Sequence, residues 1–377
     1  MGVPTFVTAS RFLRAGLSMG AALLCLIALL IAAHDGTAAS ALAIVRHVNA
    51  ATGSDSGGCT NPLSPCDTIG YALGRAANGD SIWVAAGIYI ENLVVTKPVA
   101  LLGGYAVSGS AWLPGTAGSS VIDGSGAISQ PVVTFDAGAD GAILDGFTIT
   151  GGSADQAGGG ITIEGASPFI RSCIVQGNTA VGEFEWGGGG ILVSPGAATV
   201  ISNTIIMSNS ASGGASGIRA GSGSSLTLIN SVIAANAGRW AIHANDASMT
   251  LTHVTIADHG VDGGILLNNS RATIRNSIVW EALAPDIEAS NGSAYTVTYS
   301  NVEGGVQSGA GNLSANPKFI GGGDYHLKVG SPVIDKGTPL GAPATDLDGT
   351  PRDGAPDMGA YEWVGYRLYL PAVMKNH

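Results

Sequence analysis

The chain has 377 residues, of which 58 are glycine, 45% are hydrophobic and only 11% are charged. This length allows one large domain or two ordinary ones, and the hydrophobic content argues against a disordered chain. The formal net charge of −11 disfavours nucleic acid as a partner, because little basic surface is available to neutralise phosphates. Abundant Gly, Ser, Asn, Ile and Val favour short strands joined by tight bends.

Residues 1–43 have the features of an export signal. Arg11 and Arg14 form a short positive region, an uncharged apolar run follows, and Ala39-Ser40-Ala41 supplies small residues for cleavage. We predict a signal peptide; a signal anchor is the alternative, since the apolar run is nearly long enough to span a bilayer. The protein is therefore expected to be extracellular or at the cell surface, and only this segment is expected to contact the membrane.

The cysteines are interpreted in the light of export. Cys59 and Cys66 lie in the stretch CTNPLSPC, and an oxidising compartment permits a disulfide between them. We predict this disulfide rather than a metal site, because no histidines cluster nearby. Cys173 occupies a repeat position at which neighbouring repeats carry Thr204 and Ser231, so we expect it to be a small core residue.

Two short motifs alternate along the middle of the chain. The first is an apolar strand that ends in Asn in three of its copies, which lie at 144–152, 170–178, 201–209, 228–236, 251–259, 274–282 and 297–305. The second contains an isoleucine, in most copies directly after glycine, with copies at 158–163, 188–193, 215–220, 239–244 and 262–267. Repeats of more than 20 residues with fixed apolar columns indicate a solenoid. The β-branched runs broken by Gly, Asn and Ser favour strands over helices.

The recurrent asparagines are predicted to be structural. Asn178, Asn209 and Asn236 end successive copies of the first motif, where a bend with positive φ favours Asn. Their stacked side chains can also form hydrogen bonds along the column. His253 and His259 are interpreted as replacements for such asparagines.

The repeats resemble the right-handed parallel β-helix proteins with pectate-lyase-like domains. Residues 66–105 are similar to the opening of those domains, where a short helix near Thr68–Ala77 caps the first turns. The stretches NPKFIGGGDYHLKVGSPVIDKGTP and DLDGTPRDGAPDMGAYEW, within 316–363, are similar to the end of bacterial choice-of-anchor Q proteins. The resemblance implies an all-β, single-stranded right-handed parallel β-helix with a short N-terminal helix as its cap and an irregular β-rich C-terminal segment.

This interpretation divides the chain into five parts. After the signal peptide come the N-terminal cap and first turns at 44–113, the β-helix repeats at 114–315, the C-terminal segment at 316–365 and a tail at 366–377. The tail alternates Tyr366, Leu368 and Leu370, and it looks like tails of exported proteins of filamentous green bacteria, for which surface retention is supposed. A last edge strand is the alternative.

One row of the repeats carries chemically useful side chains. Aligning the second motif gives an inward isoleucine column formed by Ile161, Ile191, Ile218, Ile242 and Ile265. Side chains alternate along a strand, so Arg219 and His243 point outward on adjacent rungs. They are the candidate catalytic residues, together with Glu183 and Glu185 in a nearby insertion. Trp186, Arg239 and Trp240 are candidate ligand-binding residues, since aromatic faces with polar groups hold sugars.

A catalytic role is the less favoured interpretation of this row. A glycosidase needs two carboxylates at a defined separation, and Glu183 and Glu185 qualify only by proximity. A lyase resembling pectate lyases would use Arg219 as its base and calcium as its cofactor, but neighbouring rungs carry no acidic cluster to hold the metal. Asp346 and Asp348 begin like a calcium loop, although Asp-Gly pairs are also ordinary turn residues.

We therefore predict a monomeric, non-catalytic extracellular or surface protein that binds polysaccharide or mediates contact with a cell-surface component. One alternative is a polysaccharide lyase or glycoside hydrolase acting on the outward face of one parallel sheet. The other is a purely structural rod or adhesin. A groove over Arg219 would favour a binder or an enzyme, and a smooth surface of Thr, Ser and Asn would favour the structural protein.

Overall fold

The computed structural model describes residues 43–182, 187–259, 263–280 and 286–365. Successive turns of chain stack as a parallel β-helix with three long sheets, A, B and C, visited in that order in each turn. The fold predicted from the repeats is thereby confirmed. The predicted signal peptide lies outside the described residues except for its last position, and the tail at 366–377 lies wholly outside them.

The strands of the three sheets are short and are paired in register from one turn to the next. Sheet A contains Val45–Val48, Ser81–Ala85, Ala100–Ser108, Ile143–Asp145, Phe169–Arg171, Ala198–Ser202, Ser225–Ile229, Ser248–Thr252, Arg271–Arg275 and Ala294–Thr298, with Ala111–Pro114 paired antiparallel to Ala100–Ser108. Sheet B contains Gly87–Ile90, Ser120–Asp123, Phe147–Thr150, Ile174–Gln176, Ile205–Met207, Val232–Ala234, Thr255–Ala257, Ile278–Trp280 and Asn301–Val302. Sheet C contains Leu93–Val95, Val133–Phe135, Ile161–Ile163, Ile191–Val193, Ala215–Ala220, Trp240–Asn245, Gly263–Asn268 and Ile287–Ser290.

The remaining elements are small. A three-stranded sheet between B and C contains Ser153–Asp155, Thr179–Val181 and Ser210–Ala211, and an antiparallel pair contains Phe319–Gly321 and Asp324–Leu327. A 3-10 helix covers Gly124–Gly126. None of the helices in the described part of the chain is long and apolar enough to cross a membrane.

The core is built from columns of aliphatic side chains. The five isoleucines predicted to point inward are paired on successive rungs of sheet C and are fully buried. Cys173 is also buried, as predicted, and its thiol is free. Each rung buries its apolar face against the rungs above and below, so the core is continuous along the solenoid.

The asparagine ladder is confirmed, but its backbone geometry differs from our prediction. The Oδ1 of Asn209 accepts hydrogen bonds from the backbone N–H and the Nδ2 of Asn178. The Oδ1 of Asn236 accepts the same two bonds from Asn209. The positive φ falls one residue earlier, with 64° at Gly177 and 54° at Ser208. The tight turn thus ends just before each Asn, whose side chain then bonds to the neighbouring rung.

Histidine replaces asparagine in two columns, as predicted. The register places His259 one rung after Asn236, and its Nε2 lies 2.9 Å from the carbonyl oxygen of Ile233. Asn236 donates its Nδ2 to the equivalent carbonyl of the preceding rung, that of Ile206. His253 stands in a second column and has φ of 54°, like the asparagines before and after it there.

The N-terminal end is closed by a helix and a disulfide loop. The helix Ile69–Arg75 falls within the predicted range, and the Thr68 side chain accepts a hydrogen bond from the Tyr71 N–H at its start. The Glu91 carboxylate accepts two more N–H groups at the same end. The predicted bond between Cys59 and Cys66 is present, with an S–S distance of 1.98 Å.

The C-terminal segment folds back along the outside of sheet B. Its apolar side chains pack on outward residues of the last rungs in one cluster, which contains Val232, Ala234, Ala257, Ile278, Trp280, Phe319, Tyr325, Leu327, Val333, Met358, Ala360 and Tyr361. A buried ion pair joins Arg352 to Glu362 at 2.8 Å within this segment. Arg352 also donates to Asn230 Oδ1, which ties the segment to a rung of the helix.

Candidate binding faces

Arg219 and His243 are paired on adjacent rungs of sheet C, as the alignment predicted. Both residues are only 5% exposed, so they do not line the open groove that a ligand site would need. Arg219 Nη1 donates to the carbonyl oxygens of Ala220 and His243. Burial, with Arg219 and Arg239 nearby, lowers the pKa of His243 to about 3. The imidazole is therefore neutral at ordinary pH, and the guanidinium holds its proton too strongly to act as a base.

The other candidate residues near this row differ in how exposed they are. Trp240 is 5% exposed and lies between Ala215 and Gly263 in the sheet, so its ring is not an open platform. Arg239 is half-buried. The candidates Glu183, Glu185 and Trp186 lie outside the described residues.

Asp346 and Asp348 serve the C-terminal segment itself. Asp346 Oδ1 accepts the N–H groups of Asp348 and Thr350, and its Oδ2 accepts the N–H of Glu362. Asp348 Oδ2 lies 2.9 Å from Nε2 of His326. Across the described ranges, no group of three or more His, Cys, Asp and Glu side chains is placed to hold a metal ion. The arrangement agrees with turn chemistry in this segment.

A hydroxyl row on the outside of sheet A was missed at the sequence level. Thr227, Thr250, Thr273 and Thr296 are paired on successive rungs and point outward, opposite to the buried aliphatic side chains on either side. The last three are exposed and Thr227 is half-buried. Rungs lie about 4.8 Å apart, so the row presents regularly spaced hydroxyls over about 14 Å. The Thr at the centre of SLTLI, SMTLT, RATIR and AYTVT is the signal that could have revealed it.

Aromatic rings occupy the N-terminal end of the same face. Trp83 and Tyr105 stack with centroids 4.7 Å apart, and His47 makes edge contacts with Trp83 and Trp112. His47, Tyr105 and Trp112 are nearly buried, while Trp83 is half-buried. Burial lowers the pKa of His47, against a smaller opposing effect of the Cys59 backbone. The rings form a compact cover for the first rungs of sheet A.

The comparison with protein families agrees with the architecture. Residues 189–316 match the family model described as the right handed beta helix region. A search of curated proteins gives no match. A solved structure of pectate lyase Pel9A is similar at 14% identity and a TM-score of 0.42, over 86% of this chain and 97% of that one. A pectin methylesterase from Aspergillus niger is similar at 15% identity and a TM-score of 0.37, over 75% of this chain and 93% of that one. The described sheets show that the chain folds as an all-β parallel β-helix, and residues 189–316 of it match the right handed beta helix family model.

Proposed function

We propose that this chain is an exported β-helix protein that contacts a polysaccharide or a cell-surface component through the outer face of sheet A, without catalysing a reaction. The disulfide supports export, because such bonds persist in oxidising compartments. The similarity of residues 316–363 to choice-of-anchor Q proteins supports a location at a surface. Attachment of the chain to that surface is part of the proposal.

The threonine row is the observation that carries this proposal. Hydroxyls both donate and accept hydrogen bonds, so a rigid row of them can meet the hydroxyls of a sugar polymer in either sense. Each such bond is weak on its own, and repetition along a fixed sheet adds the contributions without further ordering of the protein. Arg219 is buried and does not line the groove expected of a binder, and a smooth threonine face is also what the structural rod or adhesin predicts. The proposal therefore concerns contact with an extended partner, which a flat face suits better than a small molecule that needs a concave site.

The buried state of the Arg219 and His243 pair argues against catalysis there. A general base must be within reach of the substrate proton and must be able to accept it. Arg219 is engaged by backbone carbonyls, and His243 is enclosed beside two arginines. Neither group meets both conditions, so a lyase or hydrolase centred on them is disfavoured.

The test removes hydroxyls from the row while keeping the shape of the side chains. The variant Thr250→Val with Thr273→Val should bind about tenfold more weakly to its target in pull-down with insoluble neutral and uronate polysaccharides and purified cell walls. Thr134→Val is the matched control, since Thr134 lies on an outward position of sheet C. Equal binding by the double variant and the wild-type protein would refute the assignment of this face.

Activity is tested separately from binding. The same polysaccharides are assayed for newly formed unsaturated or reducing ends, with and without calcium, using the wild-type chain and Arg219→Ala. We expect no release above background for either protein. Release by the wild-type chain that disappears in Arg219→Ala would show that the protein is an enzyme and that Arg219 belongs to its site.

A further inference from the structure

One outward column of sheet B is apolar along most of its length. It runs in register through successive rungs and contains Ile88, Val121, Thr148, Ile174, Ile205, Val232, Thr255 and Ile278. The next outward column is mixed: it begins with Ile90, is polar at Asp123, Thr150 and Gln176, and is apolar again at Met207, Ala234, Ala257 and Trp280. An apolar column is typically covered in a folded protein, because apolar surface in contact with water is unfavourable.

The C-terminal segment covers only one half of the first column. Val232, Thr255 and Ile278 are each 1% exposed beneath it, whereas Ile205, one rung earlier, is half-buried. The neighbouring asparagine column changes at the same place, since Asn230 is 2% exposed and Asn203 is half-buried. The cover therefore ends between the rung of Ile205 and the rung of Val232.

The other half of the first column is only partly covered by the described residues. Thr148 is 7% exposed, and its Oγ1 donates to the Gly118 carbonyl, while the residues on either side of it in the column are more accessible. Ile88 and Ile90 are each 65% exposed, and Val121, Ile174 and Ile205 are half-buried. We call these five residues the open strip. It continues directly from the covered half, since Ile205 also packs against the edge of the C-terminal cluster.

We propose that the C-terminal tail, residues 366–377, docks on the open strip and extends the cover made by the C-terminal segment. The chain enters the tail from Trp363, which packs against the same apolar cluster, and from Val364, which is 42% exposed. The interface with sheet B is thus already established where the tail begins.

The length and pattern of the tail fit this strip. The strip extends four rungs, from Ile205 to Ile88, or about 19 Å, and the tail can reach about 40 Å when extended. Tyr366, Leu368 and Leu370 alternate with polar and aromatic residues, so an extended chain would turn all three to one side. A tethered segment also meets the strip at a high effective concentration, which a second copy of the chain would not.

Cross-linking in the mature chain, residues 44–377, tests the contact directly. Leu370→Cys is combined with Ile174→Cys on the open strip, or with Thr250→Cys on sheet A as the matched control, and both are treated with a short bis-maleimide. Native thiols do not compete, because Cys59 and Cys66 are bonded to each other and burial raises the pKa of Cys173 to about 12. We expect the first pair to link within one chain at least about tenfold faster than the control pair.

Equal linking rates for the two pairs would overturn the proposal, and so would links formed only between chains. A second measurement follows the labelling rate of Ile88→Cys by a soluble maleimide. Truncation after Gly365 should raise this rate several-fold, while the rate at Thr250→Cys stays constant. A rate at Ile88→Cys that is the same with and without the tail would contradict docking, as would protection that depends on protein concentration and therefore indicates a second copy.

Discussion

Asparagines at the bend between sheet B and sheet C each bond two rungs together. The side chain of Asn209 is fully buried, accepts two hydrogen bonds from Asn178 and donates to the Val175 carbonyl and to Asn236. At the bends between strands, some backbone N–H and C=O groups have no partner in a neighbouring strand, and the Asn side-chain amides form hydrogen bonds with them. The ladder therefore stabilises the stacking of turns rather than any chemistry.

Replacing Asn209 with Ala is expected to lower the free energy of unfolding by about 2–4 kcal/mol, because it leaves buried donors and a buried acceptor without partners. Urea unfolding followed by circular dichroism measures the change. His259→Asn is the comparison, since it restores the ladder residue at an equivalent position and should change stability by less than about 1 kcal/mol. An Asn209→Ala protein as stable as the wild type would contradict this account of the ladder.

Asp286 makes stability depend on pH. Burial raises its pKa to about 7, and the Glu303 charge adds to the rise. The folded state therefore binds the proton more tightly than the unfolded chain. This contribution to stability is complete below about pH 4, the ordinary range of a carboxyl, and is lost as the pH rises through 7.

The variant Asp286→Asn should lose less stability than the wild type between pH 4.5 and pH 8. We expect the two unfolding free energies to diverge by about 1–4 kcal/mol over that interval. Denaturant titrations at several pH values provide the measurement, and Glu288→Gln, an exposed residue in the strand that begins directly after Asp286, is the control. Parallel curves for Asp286→Asn and the wild type would show that this carboxyl titrates normally.

The inward isoleucine column and the Asn ladder were predictable because each residue type recurs at a fixed place in the repeat. The position of the positive φ was not predictable in the same way. Asn tolerates positive φ, so the pattern placed the bend at the Asn itself. In the structure Gly177 and Ser208 make the turn, and the following Asn is selected for its side-chain bonds. The positive φ and the side-chain hydrogen bonds are thus required of two neighbouring residues, and the sequence alone does not show which residue meets which requirement.

At the scale of elements, the C-terminal segment is held by buried polar contacts as well as by apolar packing. Arg352 and Glu362 form an ion pair with side chains 2% and 5% exposed, and Arg352 also donates to the carbonyls of Gly359 and Ala360. The Asn276 side chain, in the bend between sheets A and B, bonds to both the N–H and the carbonyl of Thr338. These contacts fix the segment across several rungs.

Arg352→Ala should destabilise the C-terminal segment by about 3–5 kcal/mol, because it leaves the Glu362 charge buried without its partner. Limited proteolysis should then cut within residues 331–363 well before the helix repeats. Arg171→Ala is the control, since its ion pair with Asp145 is largely exposed and should contribute at most about 1 kcal/mol. Unchanged protease resistance in Arg352→Ala would contradict the role of this pair.

The role of this segment could not be predicted from its own sequence. The run DLDGTPRDGAPDMGAYEW suggested turns, because Asp-Gly pairs are common in them, and only its start at Asp346 and Asp348 resembled a calcium loop, since the later ligand spacing does not fit. Asp346 in fact accepts backbone N–H groups of the same segment, such as that of Glu362, and it is Arg352 that reaches the β-helix, where it donates to Asn230, more than 100 residues away. The spacing of residues within the segment does not predict this long-range contact.

At the scale of the whole molecule, closure of the N-terminal end contributes to stability. The loop between Cys59 and Cys66 pairs with the first strand, since the His47 N–H donates to the Cys59 carbonyl and the Cys66 N–H donates to that of His47. The bond restricts the unfolded chain near the end of the solenoid, where a rung has a neighbour on one side only.

Reduction of this disulfide is expected to lower the free energy of unfolding by about 2–3 kcal/mol, as loop closure predicts for a ring of this size. The measurement is urea unfolding with and without dithiothreitol. A protein with both Cys59→Ser and Cys66→Ser should resemble the reduced wild type and should not respond to the reductant. A wild-type protein that is equally stable in both conditions would show that the bond does not stabilise the folded state.

The global fold was accessible from the sequence because neighbouring turns repeat the same pattern. The proposed binding face was not, because exposure depends on what covers each rung. Arg219 and His243 occupy outward positions yet are buried, while the uniform threonines that repeat as regularly as the core remain accessible. Sequence periodicity reports which way a side chain points, and it does not report what lies over it.

The position of the C-terminal segment has a consequence for how this molecule can change in length. The segment ties together the rungs that carry Asn230, His253 and Asn276, so their spacing is fixed by contacts from the side. Rungs before Ile205 have no such contact from the described residues. A gene duplication that adds one complete turn there would lengthen the rod by about 4.8 Å and keep every column aligned, whereas the same event near Asn276 would separate paired residues. Growth of the rod is therefore confined to its N-terminal half.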